Sequence, residues 1–457
     1  MKYFVSIIFI FLTTLTSAQF IKVEGVVIDN ISQVPVPYVH ISINSGIGTI
    51  SNINGEFRLA WEVSVAKGTE LYFSSVGYKP FILSLNDSNV KSYLEIELLP
   101  SITLLDEVTI SSEEKVDSAL LIIQKALKNI RKNYPMRKYG MEAFYREANI
   151  SDISYSRLIE AQLLIADKGY NKAIETVEMN VLQMRKTEDN RDISWRQSLF
   201  EWLYNINGAF KTLANDRVKL STRHYNMSDY EENKNGWIQY DRNGHEGSIR
   251  FLSKEFIEGC DWELKGVLKS ENDTTYILQY EAINKNKHRS FARVGKGIIY
   301  VSKADWGIKE VSSEVVKPEG LRYNQLDYTL KGSRAYYKTI IKYQKHEGKY
   351  YLAYIKSESI GTNSLDFTGG RDLSLFEKTK GKLGKIYQEN ELFVTRILPY
   401  KKVSKKNRMD KEDDLYNSDA TNDEAFWATY NYPMLNPLSD IMKTDLKNND
   451  GELFIKE

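Results

Sequence analysis

The chain has 457 residues, which is enough for about three domains of ordinary size with sizeable hydrophobic cores. Its 62 Lys and Arg residues and 61 Asp and Glu residues leave a net charge of +1, so no overall positive field favours nucleic acid or an anionic surface. The single cysteine, Cys260, excludes an internal disulfide, so stability has to come from packing.

The first residues have the pattern of a secretory signal. Met1-Lys2 is followed by an apolar run over residues 4–12 and by the small residues Ser17-Ala18. This run is shorter than the roughly 20 residues of a membrane-spanning helix. We predict that residues 1–18 are a signal peptide, cleaved after Ala18, and that the exported chain has no transmembrane span. An uncleaved anchor is the alternative. Because no cysteine lies near the cleavage site, we expect no lipid attachment there.

Residues 20–110 carry the pattern of an all-β sandwich. Short runs of β-branched and aromatic residues are separated by turn residues at the spacing typical of that architecture. Asn54-Gly55 predicts a tight hairpin turn, after which Phe57 and Leu59 alternate with polar residues across the two faces of a strand. Strands are predicted at residues 20–28, 39–44, 56–61, 70–75, 81–85, 94–98 and 108–110.

Short motifs follow one another through this region: Gly25-Val26-Val27-Ile28-Asp29, Gly48-Thr49, Asn54-Gly55-Glu56-Phe57, Leu71-Tyr72-Phe73-Ser74, Val76-Gly77-Tyr78 and Leu104-Leu105-Asp106-Glu107-Val108-Thr109-Ile110. In these motifs the region resembles the carboxypeptidase-regulatory-like domain, a transthyretin-like β-sandwich at the N-terminus of many Gram-negative envelope proteins. The resemblance implies a seven-stranded sandwich and an envelope location, without peptidase chemistry.

Zinc peptidase chemistry is also excluded by the ligands that it needs. A catalytic zinc takes three protein ligands, in carboxypeptidases including a His-x-x-Glu pair. None of the five His residues is followed by Glu three residues later. We therefore predict neither a metal nor a cofactor.

A helix is predicted immediately after the sandwich. Ser111 and Glu114 form a capping box, and an apolar stripe with helical spacing ends before Pro135. The stripe consists of Val116, Leu120, Ile123, Leu127 and Ile130. We expect it to pack against the domain that follows, with a partner-binding helix as the alternative.

Residues 111–400 are predicted to form that helix and a large, curved antiparallel sheet, half-barrel-like and filled by helices. A meander of three strands opens it at 140–147, 155–165 and 177–185, and a second apolar helix follows at 194–213. Further strands are predicted at 262–270, 274–282, 297–301, 307–316, 336–344, 350–360 and 391–398. The fold class is therefore mainly β with some α.

Scattered motifs in this part carry a second resemblance: Phe144-Tyr145-Arg146-Glu147, Glu160-Ala161, Asp216-Arg217-Val218-Lys219-Leu220, Gly297-Ile298-Ile299-Tyr300-Val301, Phe426-Trp427 and Tyr430-Asn431-Tyr432. In them the chain resembles envelope proteins that join a carboxypeptidase-regulatory-like domain to a curved sheet similar to the lipoprotein-carrier half-barrel. The resemblance implies a hydrophobic concavity.

The end of the chain divides into two segments. Residues 401–408 contain five basic residues and acidic residues follow at once, which predicts a solvated, self-neutralising loop over residues 401–425. Binding to anionic headgroups or to nucleic acid is the alternative. Residues 426–457 are predicted to dock the C-terminus onto the sheet through Phe426, Trp427 and Tyr430.

The sequence contains no nucleophile elbow, phosphate loop or dinucleotide fingerprint, so no catalytic, cofactor-binding or metal-binding residue is predicted. Arg146, Glu147 and Glu160 are the charged residues of interest, because neighbouring strands can bring Arg146 and Glu160 onto one face. A buried ion pair is preferred there, and a general acid/base pair is the alternative. For Cys260, a small buried thiol is preferred to a nucleophile.

These observations predict a non-enzymatic binding or assembly module in the periplasm or at the outer membrane. The sandwich would present strand edges to an envelope protein, and the curved sheet would hold a lipophilic ligand or a protein segment. The alternatives are a hydrolase with scattered carboxylates, among them Glu147 and Glu160, and a surface-displayed structural protein. We further expect the sandwich to pivot about residues 110–113.

Overall fold

The computed structural model describes residues 20–43, 47–62, 69–85, 93–104, 112–151, 154–170, 178–188, 257–269, 273–282, 295–316, 336–362, 385–404, 415 and 420–435. The predicted signal peptide, the strand predicted at 108–110, the helix predicted at 194–213 and most of the charged loop lie outside the described residues, as does Ser111 of the predicted capping box.

The N-terminal module is a seven-stranded β-sandwich, as predicted. Its strands are β1 Phe20–Asp29, β2 His40–Ile43, β3 Gly48–Ile50, β4 Glu56–Glu62, β5 Glu70–Ser74, β6 Phe81–Ser84 and β7 Leu94–Leu98. One sheet has the order β4-β1-β7 and the other β3-β2-β5-β6. Alternate residues of both sheets, such as Val27, Phe57 and Phe73, meet in one apolar core between them.

The turn at Asn54-Gly55 differs from the predicted hairpin. Gly55 has the positive φ of 74° that the motif requires, and the Asn52 side-chain oxygen accepts hydrogen bonds from the backbone N–H groups of Asn54 and Glu56 at 3.0 and 2.9 Å. However, β3 and β4, on either side of the turn, belong to different sheets. The three residues of β3 are too few for a readable alternation, so that strand was not predicted.

The larger module is an open, curved antiparallel sheet, as predicted. Its strands are β8 Ile102–Leu104, β9 Tyr139–Ser151, β10 Ser154–Asp167, β11 Glu178–Lys186, β12 Cys260–Lys269, β13 Thr274–Ala282, β14 Lys296–Ser302, β15 Ile308–Val316, β16 Tyr336–His346, β17 Lys349–Thr362 and β18 Lys385–Leu398. Within the described ranges, the order of these eleven strands is β11-β10-β9-β18-β17-β16-β15-β14-β13-β12-β8. Because β8 pairs with β12, the large sheet begins inside the range 20–110 that was assigned to the sandwich.

Three helices accompany the sheet in the described part of the chain: α1 Ser112–Lys128, α2 Ile130–Asn133 and α3 Glu424–Thr429. The predicted stripe of α1 is buried at Ile123 and Leu127, whereas Leu121 on the opposite side is exposed. We call the sheet face that packs on α1 and α2 the inner face, and the opposite one the outer face.

Side chains of the chain itself fill the inner face over the described residues. Tyr134, after α2, lies with its ring centroid 5.4 to 5.8 Å from those of Tyr170, Tyr343 and Tyr350. Its hydroxyl donates to the carbonyl of Ile308 at 2.8 Å and accepts from the N–H of Ile308 at 3.0 Å. The concavity implied by the resemblance is therefore a packed core in this region.

Candidate functional site

A row of alternating charges crosses five neighbouring strands on the outer face. In register, Arg185 of β11 lies opposite Glu160 of β10, Glu160 opposite Arg146 of β9, Arg146 opposite Glu391 of β18, and Glu391 opposite Lys356 of β17. We call these five residues the charge row. The predicted pairing of Arg146 with Glu160 is thus part of a longer array.

Short ion pairs hold the charge row together. Arg146 Nε lies 2.7 Å from a carboxylate oxygen of Glu160, and Arg146 Nη1 lies 2.6 Å from one of Glu391. The second Glu160 oxygen lies 2.6 Å from Arg185 Nη2. Lys356 pairs instead with Glu389 at 3.1 Å. Since Arg146 and Glu160 are both at most 2% exposed, these charges depend on one another for solvation.

Burial shifts the pKa values of the acidic members in different directions. Burial raises the pKa of the Glu160 carboxyl, but the guanidinium groups of Arg185 and Arg146 outweigh it and hold that pKa below its usual value. For Glu391, burial and the nearby Glu389 raise the pKa in spite of Arg146. The Glu160 carboxylate therefore stays charged at neutral pH and serves as an ionic bridge rather than a proton donor.

Glu147 lies on the other side of the sheet from Glu160. Successive residues of a strand point to opposite faces, and Glu147 follows Arg146. Its carboxylate lies 3.7 Å from Arg157 Nη2 and accepts a hydrogen bond from the Asn149 side chain at 3.1 Å. The structure therefore does not assemble Glu147 and Glu160 into the carboxylate pair that the hydrolase hypothesis required.

Cys260 is a small buried thiol, which is the interpretation preferred from the sequence. It is 5% exposed within the inner core. Burial, with a smaller contribution from Asp261, raises the pKa of the Cys260 thiol to about 12. The thiolate that a nucleophile needs is therefore scarce at neutral pH. Among the described residues, no group of His, Cys, Asp and Glu side chains has the arrangement of a metal site.

The C-terminal residues 420–435, which we call the clasp, bind both modules through their backbone and polar side chains. At the edge of the large sheet, the carbonyl of Thr421 accepts from the N–H of Met184 in β11 at 2.9 Å. At the sandwich edge, the Asn431 side chain accepts from the N–H of Ala60 and donates to its carbonyl, both at 2.8 Å. The clasp thus occupies two strand edges, one on each module.

Aromatic and cationic groups hold the middle of the clasp. Trp427 is 3% exposed, and the Arg185 guanidinium lies 4.5 Å from the centroid of its ring. Tyr432 stacks on Phe144 of β9 with 5.2 Å between ring centroids. Arg146 Nη2 donates to the carbonyl of Pro433 at 2.7 Å, which links the charge row to the clasp. The docking role predicted for Trp427 has its physical basis in these contacts.

The sandwich also contacts the outer face directly. Tyr38 lies with its ring centroid 5.6 Å from that of Tyr354, and its carbonyl accepts from Lys342 Nζ at 2.9 Å. Tyr38 and Ile50 share one apolar cluster with Phe393 and Trp427. These contacts argue against the predicted pivot of the sandwich about residues 110–113, because a pivot would have to expose that cluster.

A cleft of about 590 Å³ lies where the sandwich, the outer face and the clasp meet. The sandwich contributes Trp61, the sheet contributes Tyr351, Val394 and Ile397, and the clasp contributes Tyr430. Two of its charged lining residues already form ion pairs. Arg396 Nη2 lies 2.5 Å from Glu142 Oε2, and Lys345 Nζ lies 2.5 Å from Asp305 Oδ2. Its size and its position between modules are typical of ligand sites.

Sequence reasoning missed this cleft and most of the charge row. The lining residues come from separate segments, and none forms a motif by itself. Arg146 and Glu391 are 245 positions apart and meet only because β9 pairs with β18.

Comparison with known proteins identifies the first module. Residues 23–110 match the model of the CarboxypepD_reg-like domain, which confirms the resemblance found in its motifs. No curated protein matches the chain. Among the described residues, no helix combines the length and apolar character needed to cross a membrane.

Solved structures with a distant likeness include three bacterial proteins. A putative outer membrane lipoprotein-sorting protein domain from Vibrio parahaemolyticus has 9% identity and a TM-score of 0.23, covering 64% of this chain and 96% of that one. A DUF1329 family protein from Desulfovibrio piger has 9% identity and a TM-score of 0.23, with coverages of 64% and 95%. A LolA superfamily protein from Nitrosomonas europaea has 11% identity and a TM-score of 0.21, with coverages of 63% and 96%.

Proposed function

We propose that this chain is a non-enzymatic binding module of the bacterial envelope, and that its ligand occupies the cleft between the sandwich and the large sheet. The observation that carries the proposal is the cleft itself, because both modules and the clasp build it together. A ligand with a large apolar part fits walls that contain Trp61, Tyr351, Val394 and Ile397.

The charges around the cleft favour binding over chemistry. Arg396 and Lys345 already have acidic partners, and the buried carboxylates of Glu160 and Glu391 are committed to ion pairs in the charge row. A general acid/base pair needs a group poised to exchange a proton near neutral pH. The Glu160 carboxylate, with its lowered pKa and two guanidinium partners, is unsuited to that task.

Titration of the full chain with dansyl-undecanoic acid tests the ligand. We expect saturable fluorescence enhancement with wild type. Gln344→Trp, which adds bulk at an exposed position lining the cleft, should weaken binding at least tenfold, or more than about 1.4 kcal/mol. Ile82→Trp is the matched control, because Ile82 is exposed on β6, away from the cleft. Absence of saturable binding, or equal binding by Gln344→Trp, would overturn the proposal.

We place the protein in the periplasm or on the periplasmic side of the outer membrane. The secretory pattern of residues 1–18 supports this location, as does the resemblance that the match of residues 23–110 to the CarboxypepD_reg-like domain confirms. Protease treatment of intact cells, followed by immunoblotting, separates it from surface display. The protein should survive in intact cells and be degraded once the outer membrane is permeabilised. Degradation in intact cells would favour the surface-displayed alternative.

A further inference from the structure

We propose that the groove beneath the clasp is a peptide-recognition site, at present filled in cis, and that it accepts a partner polypeptide with the same side-chain pattern. The pattern consists of a Trp, an Asn-Tyr pair four and five residues later, and a following Pro, as in Trp427, Asn431, Tyr432 and Pro433. The groove is the surface of both modules that these residues cover.

The groove forms hydrogen bonds with the backbone of the clasp, as a peptide-binding site does with its ligand. A parallel bridge joins Thr421 to Gln183 at the edge strand β11, the beginning of an added strand. Further along, the hydroxyl of Thr49 donates to the carbonyl of Tyr432 at 3.3 Å, and the Asn52 side chain donates to that of Leu435 at 3.1 Å. Arg146 also donates a hydrogen bond to the carbonyl of Pro433. Together these backbone hydrogen bonds hold the clasp along its length.

Side-chain pockets supply specificity along the same path. Trp427 and Tyr432 share the Arg185 guanidinium, which lies 4.5 and 5.2 Å from their ring centroids. The Arg58 guanidinium, from the sandwich, lies 4.9 Å from the ring of Tyr432. Buried aromatic anchors against arginine are the residues that usually dominate binding energy at interfaces. Asn431 adds a selective contact, since its side-chain amide accepts from the N–H of Ala60 and also donates to the carbonyl of Ala60.

The arginine side chains that line the groove are also held by partners outside the clasp. Glu160 fixes both Arg146 and Arg185, and Glu391 fixes Arg146 from the other side. A preformed site loses less entropy on binding. The clasp has little structure to preserve alone, since α3 has six residues, far fewer than an isolated helix needs for stability. The clasp therefore behaves as a tethered peptide. Its high effective concentration prevents other peptides from binding the groove of the intact chain.

Cleavage of the tether tests this arrangement in the full chain. A specific protease site is inserted within residues 405–414, and the cleaved protein is examined by size-exclusion chromatography and circular dichroism. We expect the C-terminal fragment to co-elute with the body. A fluorescent peptide of residues 420–435 should then exchange into the cleaved protein with saturable binding, and should bind the intact protein at least tenfold more weakly.

Peptide variants establish specificity. Tyr432→Ala in the peptide should weaken binding to the cleaved protein at least tenfold, whereas Ala428→Ser, at an exposed clasp position, should leave it unchanged. Dimers of the intact chain that the peptide dissociates would support exchange, with a second copy as the partner. A body that releases the fragment and binds no peptide would overturn the proposal, as would equal binding of the Tyr432→Ala peptide.

A second measurement covers the case in which the cleaved protein loses its fold. The intact chain carrying Tyr432→Ala has a weakened clasp in cis, so it should bind the labelled wild-type peptide more tightly than the wild-type chain does. If the two chains bind the peptide equally, or if neither binds it, the groove is not an exchangeable site.

Discussion

Arg146 is the residue on which the outer face depends most. It lies at the centre of the charge row, with carboxylates on both sides and the clasp carbonyl of Pro433 above. Each of its contacts replaces water that burial has removed, so the group is satisfied only while all of its partners are in place. An interaction of this kind adds specificity of strand register more reliably than it adds net stability.

Replacement of Arg146 by Met should destabilise the protein by about 3–5 kcal/mol, because Glu160 and Glu391 would be left as buried charges with too few partners. Arg396→Met is the matched control on the same face: its side chain is 65% exposed and pairs with Glu142, so its loss should cost about 1 kcal/mol or less. Urea unfolding with an unchanged m-value measures both. Similar losses for the two variants would show that burial does not decide the energetics here.

At the scale of elements, alternation predicted the strands because each has one face in a core. In β12, every second residue from Cys260 to Leu268 is buried and the residues between are exposed or half-buried, which is the alternation that the sequence carries. The same rule placed Arg146 and Glu160 on one face of neighbouring strands, and the register bears this out. The stripe of α1 was readable for the equivalent reason, at helical spacing.

Pairings distant in sequence could not be predicted in this way. The contacts of β9 with β18, and of Asn431 with Ala60, depend on where the chain returns after hundreds of residues. The clasp has no periodic sequence pattern either. It is held largely through backbone groups, and hydrogen bonds to backbone groups do not require a particular residue type. The cleft inherits this difficulty, because its walls come from strands that only the tertiary fold brings together.

At the scale of the whole molecule, the two modules are joined by more than a covalent connection. The cluster of Tyr38, Ile50, Phe393 and Trp427 takes residues from the sandwich, the sheet and the clasp, so it forms only when all three are in place. The sandwich nevertheless has an apolar core of its own between its two sheets. Coupling between the modules therefore resides in the shared cluster and in the clasp.

The full chain should consequently unfold in one cooperative transition, with equal calorimetric and van't Hoff enthalpies. The double variant Trp427→Ala/Tyr432→Ala removes the aromatic anchors of the clasp but leaves both module cores intact, so it should separate the melt into two transitions. Tyr93→Ala, at a sandwich residue that is 63% exposed, is the control and should keep a single transition. Differential scanning calorimetry measures the number of transitions. Two transitions in the wild-type chain would support the predicted pivot of the sandwich, since the shared cluster would then contribute too little to couple the modules.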